Sequence, residues 1–395
     1  MSSVSAQNMI NTAQLFEQMT ESGYAISERL LQTAAAPFSE KTLPLWGIEH
    51  AAKLARTSSA TIRRLEAAGK LPPPARNELN RRVYDLEAVN RIRAQVGTLF
   101  QRPIGSRPIR VISANLKGGT GKTTTAVHLA QYLALRGLRV LLVDTDPQGS
   151  TTNSFGLLPD IHVSETETLA PALIESNLEH ALELARKAIR KTYWHQLDLI
   201  ASQLNMVSVD GELTLKSGAD KIHRLRDLLD ELEANYDVVV VDVPPALGLL
   251  SINAIVAADY LLVPMVPNMP DIASSIQYFS ILSTIADHMS LAGMNILITR
   301  YETGPHTDAA ASLIKAIYGV NVLNNVMLST RELSKSAHDL RSIYEIDKPH
   351  GSRETYLRAL NSMNAVNDEI FCKIQQIWDQ QALLASESPA EVNHG

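Results

Sequence analysis

The sequence predicts an α/β protein whose main part is a doubly wound, mostly parallel sheet, preceded by a small α-rich module and an N-terminal helix. Three observations predict it. From Ile109 onward, short apolar runs alternate with amphipathic stretches. At 395 residues the chain is longer than one small core organises. The charge is also uneven: Gly47 to Arg110 holds 13 Lys or Arg against 5 Asp or Glu, although the whole chain carries -6. A basic module on an acidic body points to nucleic acid. A composition of 45% hydrophobic and 20% charged residues excludes a disordered or fibrous chain. The single cysteine, Cys372, excludes an intramolecular disulfide framework and reads as structural. No run approaches the roughly 20 apolar residues of a membrane helix, and no leader pattern opens the chain, so a cytoplasmic protein without membrane contact is expected.

Residues 1–43 form the first segment. Ile10, Ala13, Leu15, Phe16, Met19, Tyr24, Ile26, Leu30 and Leu31 repeat at a loose helical period broken at Gly23, which reads as one or two amphipathic helices. Such helices either mediate self-association or pack on their own domain.

Residues 44–98 form the second. A helix His50 to Ala55, the turn Arg56-Thr-Ser-Ser59 and a helix Ala60 to Ala68 have helix-turn-helix spacing. Ser58 or Ser59 caps the second helix. Ile62, Leu65 and Leu54 hold the pair together, leaving Ser59, Thr61, Arg63, Arg64 and Ala67 for DNA. The stretch from Lys70-Leu-Pro-Pro-Pro74 to Asn80-Arg-Arg-Val-Tyr84 reads as a wing carrying Arg81 and Arg82 to phosphates, and a helix Leu86 to Val96 closes the module. Ala60-Thr-Ile-Arg-Arg-Leu-Glu66, the Pro-rich turn and Arg81-Arg-Val-Tyr84 resemble the winged helix-turn-helix of MerR-type proteins. The plainer alternative is a helical hairpin with solvated arginines.

Residues 99–108, rich in Pro and Gly, read as a linker. The main domain spans 109–385. Strands are predicted at Ile109 to Ala114, Val140 to Asp144, Leu197 to Ala201, Val238 to Asp242, Tyr260 to Pro264 and Asn295 to Thr299, with a last helix from about Ser352 to Ile377. The polar stretch 386–395 reads as a disordered tail.

Between the first predicted strand and the next helix stands Lys117-Gly-Gly-Thr-Gly-Lys-Thr-Thr124. Gly118, Gly119 and Gly121 free the backbone to turn N–H groups toward phosphate oxygens, and the helix N-terminus adds its positive dipole end. Thr120 and Thr124 belong to the same cradle. Lys122 is placed to reach the β- and γ-phosphates of ATP or ADP, and Thr123 to bind Mg²⁺. This is a P-loop NTPase reading. Leu116 stands where the general motif has its first glycine, and Lys117 is an added lysine. Strand ends supply acids: Asp144 and Asp146 in Val143-Asp-Thr-Asp-Pro-Gln-Gly149, and Asp242 in Val241-Asp-Val-Pro-Pro245. Asp242 is the candidate for the Mg²⁺ shell, Asp146 for orienting water, and Asp144 for support.

The lysine before Gly-Gly resembles the deviant Walker A loop of the MinD/ParA class. Asp144-Thr-Asp-Pro-Gln-Gly149, Asp242-Val-Pro-Pro-Ala-Leu-Gly248 and Val263-Pro-Met-Val-Pro267 are similar to ParA partition ATPases, and the N-terminal module to their large plasmid subgroup. Thr299-Arg-Tyr-Glu302, Asn325 to Thr330 and Leu360 to Glu369 look like RepA of repABC replicons. The resemblance covers nearly all of the main domain. It implies that Lys117 reaches a partner's phosphates in an ATP-sandwich homodimer. It further implies that the dimer binds nonspecific nucleoid DNA through positions like Arg331 and Lys335. A ParB/RepB-type centromere-binding partner would stimulate weak hydrolysis, and the N-terminal module would bind operator DNA and repress its own operon. Pro267 and Arg300 then border the adenine. The competing reading is a nucleotide-sensing transcriptional repressor without a partition role. A membrane-cycling branch would need a basic amphipathic C-terminal helix, which residues 386–395 do not offer.

Overall fold

A computed structural model describes residues 12–34, 40–216, 220–347, 349 and 351–387. Of the one or two helices expected here, the structure has one, α1 (Thr12–Ala34), which runs unbroken through Gly23. One interior glycine costs only about 1 kcal/mol, so the helical period on both sides prevails. Ile10 lies outside the described residues. Leu15, Phe16, Met19, Tyr24 and Ile26 are exposed; the side chains of Leu30 and Leu31 lie outside the described residues.

Strand β1 (Trp46–Gly47) leads into α2 (Ile48–Leu54), which starts two residues before the predicted His50. Helix α3 (Ser59–Ala67) starts one residue early because Ser58 is its cap, its Oγ accepting the Thr61 N–H at 3.0 Å. The wing consists of β2 (Ala75–Arg76) and β3 (Arg82–Tyr84), with β3 pairing antiparallel to both β1 and β2. Asn77 folds its tip by accepting the N–H groups of Leu79 and Arg81. Helix α4 (Leu86–Val96) has the predicted bounds, with Asp85 as its N-cap and Gly97 at φ 73° ending it. Ala51, Ala55, Ile62, Leu65, Tyr84, Val89 and Ile92 make a core of their own.

The irregular stretch before Ile109 is pinned. The Phe100 ring lies 5.3 Å from that of Trp378, whose indole N–H donates to the Arg107 carbonyl at 3.0 Å.

Seven strands form the main sheet: β4 (Ile109–Ser113), β5 (Val140–Asp144), β6 (Arg190–Lys191), β7 (Leu197–Ile200), β8 (Val238–Asp242), β9 (Tyr260–Met265) and β10 (Gly293–Ile298). All six predicted strands are present, with ends shifted by one or two residues where they differ. Helices α5 (Lys122–Leu135), α6 (Ser150–Ser154), α7 (Pro159–His162), α8 (Ala170–Ile174), α9 (Leu178–Ala188), α10 (Met206–Leu215) and α11 (Asp220–Leu232) come before β8. Helix α12 (Leu249–Val256) precedes β9, and α13 (Met269–Thr284), α14 (Pro305–Tyr318), α15 (Arg331–His338) and α16 (Arg353–Glu387) follow it. Helix α16 runs past Ser386, two residues into the stretch predicted as disordered; 388–395 lie outside the described residues.

The strand order is β10-β9-β4-β8-β5-β7-β6, parallel throughout except for the short β6 edge. Strands β8, β5 and β7 lie to one side of β4 and β9 and β10 to the other, so the crevice at the switch point opens at the carboxyl end of β4. The run Val238-Val-Val-Val241 is fully buried because helices cover both sheet faces. The winged module docks through α4: Arg93, 3% exposed, donates to the Leu135 carbonyl at the end of α5 at 2.5 Å, and Asn90 donates to Gln196 at 3.2 Å. A guanidinium at a helix C-terminus also meets the favourable end of its dipole.

Candidate nucleotide site and DNA-facing surfaces

The loop from Lys117 to Thr124 joins β4 to α5 at the switch point. Asn115 sets its exit by donating to the Pro264 carbonyl at 2.7 Å and accepting the Lys117 N–H at 3.1 Å. Gly119 and Gly121 have φ of 74° and 89°, which a side chain would strain. Gly118 lies outside that region, and a Cβ there would meet only Pro245 Cβ at 4.0 Å, so the backbone freedom expected of it is not used. Gly121 is the N-cap of α5 and has no side chain to satisfy the first-turn N–H groups. A phosphate is the partner such donors lack. Thr299, directly after β10, fixes the loop, its hydroxyl donating to the Thr120 carbonyl at 2.7 Å.

Lys122 is 6% exposed and donates to the Lys117 carbonyl at 3.0 Å, curling back over the loop. Burial lowers its pKa, opposed by the charges of Asp242 and Asp146. Lys117 forms an ion pair with Asp271 in the first turn of α13. Thr124 gives its carbonyl to His128 Nδ1 at 2.7 Å, and His128 Nε2 accepts the Ile343 N–H at 3.2 Å.

Asp144 and Asp242 are register partners on adjacent strands, both 0% exposed. The Asp242 Oδ2 accepts the hydroxyls of Thr123 at 2.7 Å and Thr151 at 2.9 Å, while Oδ1 is buried with no hydrogen-bond partner among the described residues. Asp144 accepts the Thr152 N–H at 2.9 Å and its hydroxyl at 2.8 Å. Burial pushes the Asp242 carboxyl up to about 6 against the opposing hydrogen bonds of Thr123 and Thr151, and burial with the neighbouring Asp242 raises Asp144 well above the usual carboxylate range. Two crowded carboxyls, an orphaned buried oxygen and an adjacent threonine hydroxyl are a donor set suited to a hard divalent cation such as Mg²⁺. Asp146, 8% exposed, accepts the Gln148 N–H at 2.9 Å and stands on the same edge.

The structure therefore brings Lys117, Lys122, Thr123, Asp144, Asp146 and Asp242 to one end of the sheet. Pro267 is buried between β9 and α13. Arg300, with φ 48°, brings Nη2 to 4.0 Å from where a Cβ on Gly119 would stand. Arg300 thus lies beside the loop. Thr151, Thr152, Asn115 and Asp271 were not singled out in the sequence. Thr151 and Thr152 carried a signal, since they open a helix directly after Gln148-Gly149.

The DNA candidates occupy separate surfaces. Arg63, Arg64 and Ala67 are exposed on α3, while Ser59 and Thr61 are half-buried. In the wing Arg81 is exposed, whereas Arg82 is half-buried and pairs with Glu66 at 3.5 Å. Glu66 also accepts the Tyr84 hydroxyl at 2.7 Å, so Arg82 is tied into the structure of the module itself. Arg331 and Lys335 are exposed one turn apart on α15, capped by Thr330. They lie on a helix preceded by a single bridge, Tyr301 to Leu328, and not by a full strand.

Residues 109–292 match the AAA domain family model and residues 48–84 the model of MerR family regulatory proteins. The chain is 36% identical over 372 residues to "Putative replication protein A" of Rhizobium rhizogenes, covering 87% of this chain and 89% of that protein. It is 34% identical over 363 residues to Protein SopA of Escherichia coli K12, covering 87% and 92%. An ATP complex of Cyanothece McdA is similar in fold, with a TM-score of 0.57 at 20% identity over 67% of this chain and 97% of its own. No helix among the described residues is long and apolar enough to cross a membrane.

Proposed function

This chain belongs to the ParA-type family of partition ATPases, and from that premise we propose that it is an ATP-driven DNA segregation protein whose nucleotide-closed homodimer binds DNA. The observation that carries the reading is the pairing of Asp242 with Thr123 and Thr151 beside an uncapped glycine loop. Thr123 and Asp242 are the residues to hold Mg²⁺, which when bound supplies charge neutralisation on the phosphates. Lys122 and the first-turn N–H groups of α5 bind and orient the phosphate chain. Asp146 orients water, and Asp144, held by Thr152, keeps the acid pair in register. Neither a strong base nor an arginine finger in cis is assigned, which fits slow turnover.

Lys117 crosses to the partner's phosphates and makes ATP part of the dimer interface. Arg331 and Lys335 supply sequence-independent phosphate contacts, whereas Ser59, Thr61, Arg63, Arg64, Arg81 and Arg82 face operator DNA. A ParB/RepB-type protein accelerates hydrolysis and releases the dimer from the nucleoid. The contact of Arg93 with the end of α5 favours an added role, repression of its own operon gated by nucleotide. The proposed domain limits are 1–43, 44–98, 99–108 and 109–387, the last extended from 385 because α16 continues to Glu387.

The deciding experiment measures ATP hydrolysis with and without nonspecific duplex DNA and a ParB-type protein from the same replicon, beside loss of a test plasmid in dividing cells. Stimulated hydrolysis together with plasmid loss in the Lys122→Ala strain supports partition. Stable inheritance of the plasmid in that strain leaves only the repressor reading.

A further inference from the structure

The ammonium of Lys41 lies outside the nucleotide site yet touches the elements that support it. Lys41 is 4% exposed and stands shortly before β1, in the segment that leads into the winged module. Its Nζ donates to the Ser154 carbonyl at 2.6 Å and to the Leu340 carbonyl, lies 3.4 Å from Glu345 Oε1, and sits 5.6 Å from the centre of the Tyr193 ring. A buried ammonium is costly unless its protons find acceptors. Here the acceptors come from separate stretches of the main domain.

Each stretch has its own link to function. Ser154 closes α6, the five-residue helix whose Thr151 and Thr152 hold Asp242 and Asp144. Its carbonyl is one that a helix end leaves without an intrahelical partner, and Lys41 supplies the donor. Leu340, at φ 52°, lies in the turn that follows α15 and its exposed Arg331 and Lys335. Glu345 also accepts the Tyr193 hydroxyl at 2.5 Å and Gln131 of α5 at 3.3 Å. The helix holding the acids and the turn after α15 therefore meet on the Lys41 ammonium, and the helix after the phosphate loop joins them through Glu345.

We propose that Lys41 is a positioning residue that fixes α6, and through it the two acids, only while the segment leading into the winged module is docked, so that docking and nucleotide state are coupled. The proposal rests on the ATPase reading above. A cation drawn to the free Oδ1 of Asp242 pulls on a carboxylate whose Oδ2 holds both Thr123 and Thr151. Releasing Thr151 shifts a helix too short to absorb the movement internally, and the Ser154 carbonyl at its other end follows. In the reverse direction, withdrawal of Lys41 leaves that carbonyl unpaired and α6 loosely held.

The test uses the full chain. Lys41→Met keeps the length of the side chain and removes its charge; Lys41→Arg keeps the charge. Equilibrium ATP affinity, kcat and KM with Mg²⁺, and hydrogen exchange of residues 40–47 with ADP or a non-hydrolysable ATP analogue are measured. In the wild-type chain, exchange of this segment is expected to differ between the two nucleotides. In Lys41→Met, kcat is expected to fall about tenfold at unchanged KM and ATP affinity, the nucleotide difference in exchange is expected to vanish, and Lys41→Arg to recover most of kcat. A folded Lys41→Met protein with wild-type kcat overturns the proposal, as does a parallel loss of kcat and ATP affinity. Identical wild-type exchange with the two nucleotides also overturns it, and needs no variant. A wild-type chain that hydrolyses no ATP overturns the ATPase reading instead.

Discussion

Lys117 and Asp271 of the same chain form an ion pair in which the carboxylate is 3% exposed and the lysine remains partly open to solvent. The second carboxylate oxygen accepts the Val266 N–H at 3.2 Å, which fixes Asp271 in place. The lysine proposed to cross to a partner is thus held at home until something draws it away.

Two substitutions should move dimerisation in opposite directions. Lys117→Ala should abolish ATP-dependent dimerisation while nucleotide still binds. Asp271→Asn keeps the hydrogen bond to Val266 and removes the competing charge; a partly exposed ion pair contributes about 1 kcal/mol, so half-dimerisation should need about fivefold less ATP. Sedimentation across an ATP titration checks both, and an ATP-dependent dimer of Lys117→Ala would refute the sandwich.

Nucleotide binding itself should depend on Lys122. Removing a buried charged donor to phosphate costs about 3 kcal/mol, or roughly a hundredfold in affinity. Thr123→Ala should instead leave binding of magnesium-free nucleotide intact and remove its enhancement by Mg²⁺. Calorimetric titration with and without EDTA separates the two effects.

The winged module should lose DNA without losing chemistry. Arg63→Ala with Arg64→Ala should abolish operator footprints at unchanged ATPase rate. Arg81→Ala should lower the slope of log affinity against log salt by about 1. Arg82→Ala should also loosen the wing, because it strips Glu66 of a partner. A footprint that survives the double change would refute α3 as the recognition helix.

His128 makes stability depend on acidity. Burial lowers its pKa to about 4, against the opposing hydrogen bond to the Thr124 carbonyl. Its folded pKa is depressed below the ordinary value of 6.5, so the unfolded chain takes up the proton first. Stability is therefore whole above about pH 6.5 and declines as pH falls toward 4, by about 3 kcal/mol from this group. His128→Gln should flatten that part of the profile in urea unfolding between about pH 7 and about pH 4.5. Parallel profiles for the two proteins would contradict the assignment.

How much was legible in the sequence follows how local each feature is. The glycine loop, the acids at strand ends, the cap-bounded helix Leu86–Val96 and the two neighbouring arginines of α3 depend on a few consecutive residues and on periodicity, and they were read with their bounds nearly right. The antiparallel edge β6 was missed because two residues carry no period. The periodicity left one or two helices open before Gly23 and after it, because a breaker is only a bias, and the fold has one. The family, too, was readable, because its motifs join backbone freedom, charge and order along the chain.

Only the tertiary structure decided which distant groups meet. No spacing rule links Lys41 to Ser154 and Glu345, Lys117 to Asp271, or Arg93 to the end of α5. Each pairing exists because a sheet with helices on both faces brings separate segments together, and because a buried charge or helix end must find a partner there. The sequence by itself determined what chemistry the phosphate loop and its acids offer, since that chemistry resides in residue types at short range. The fold determined what holds them in place, since burial is a property of the whole chain.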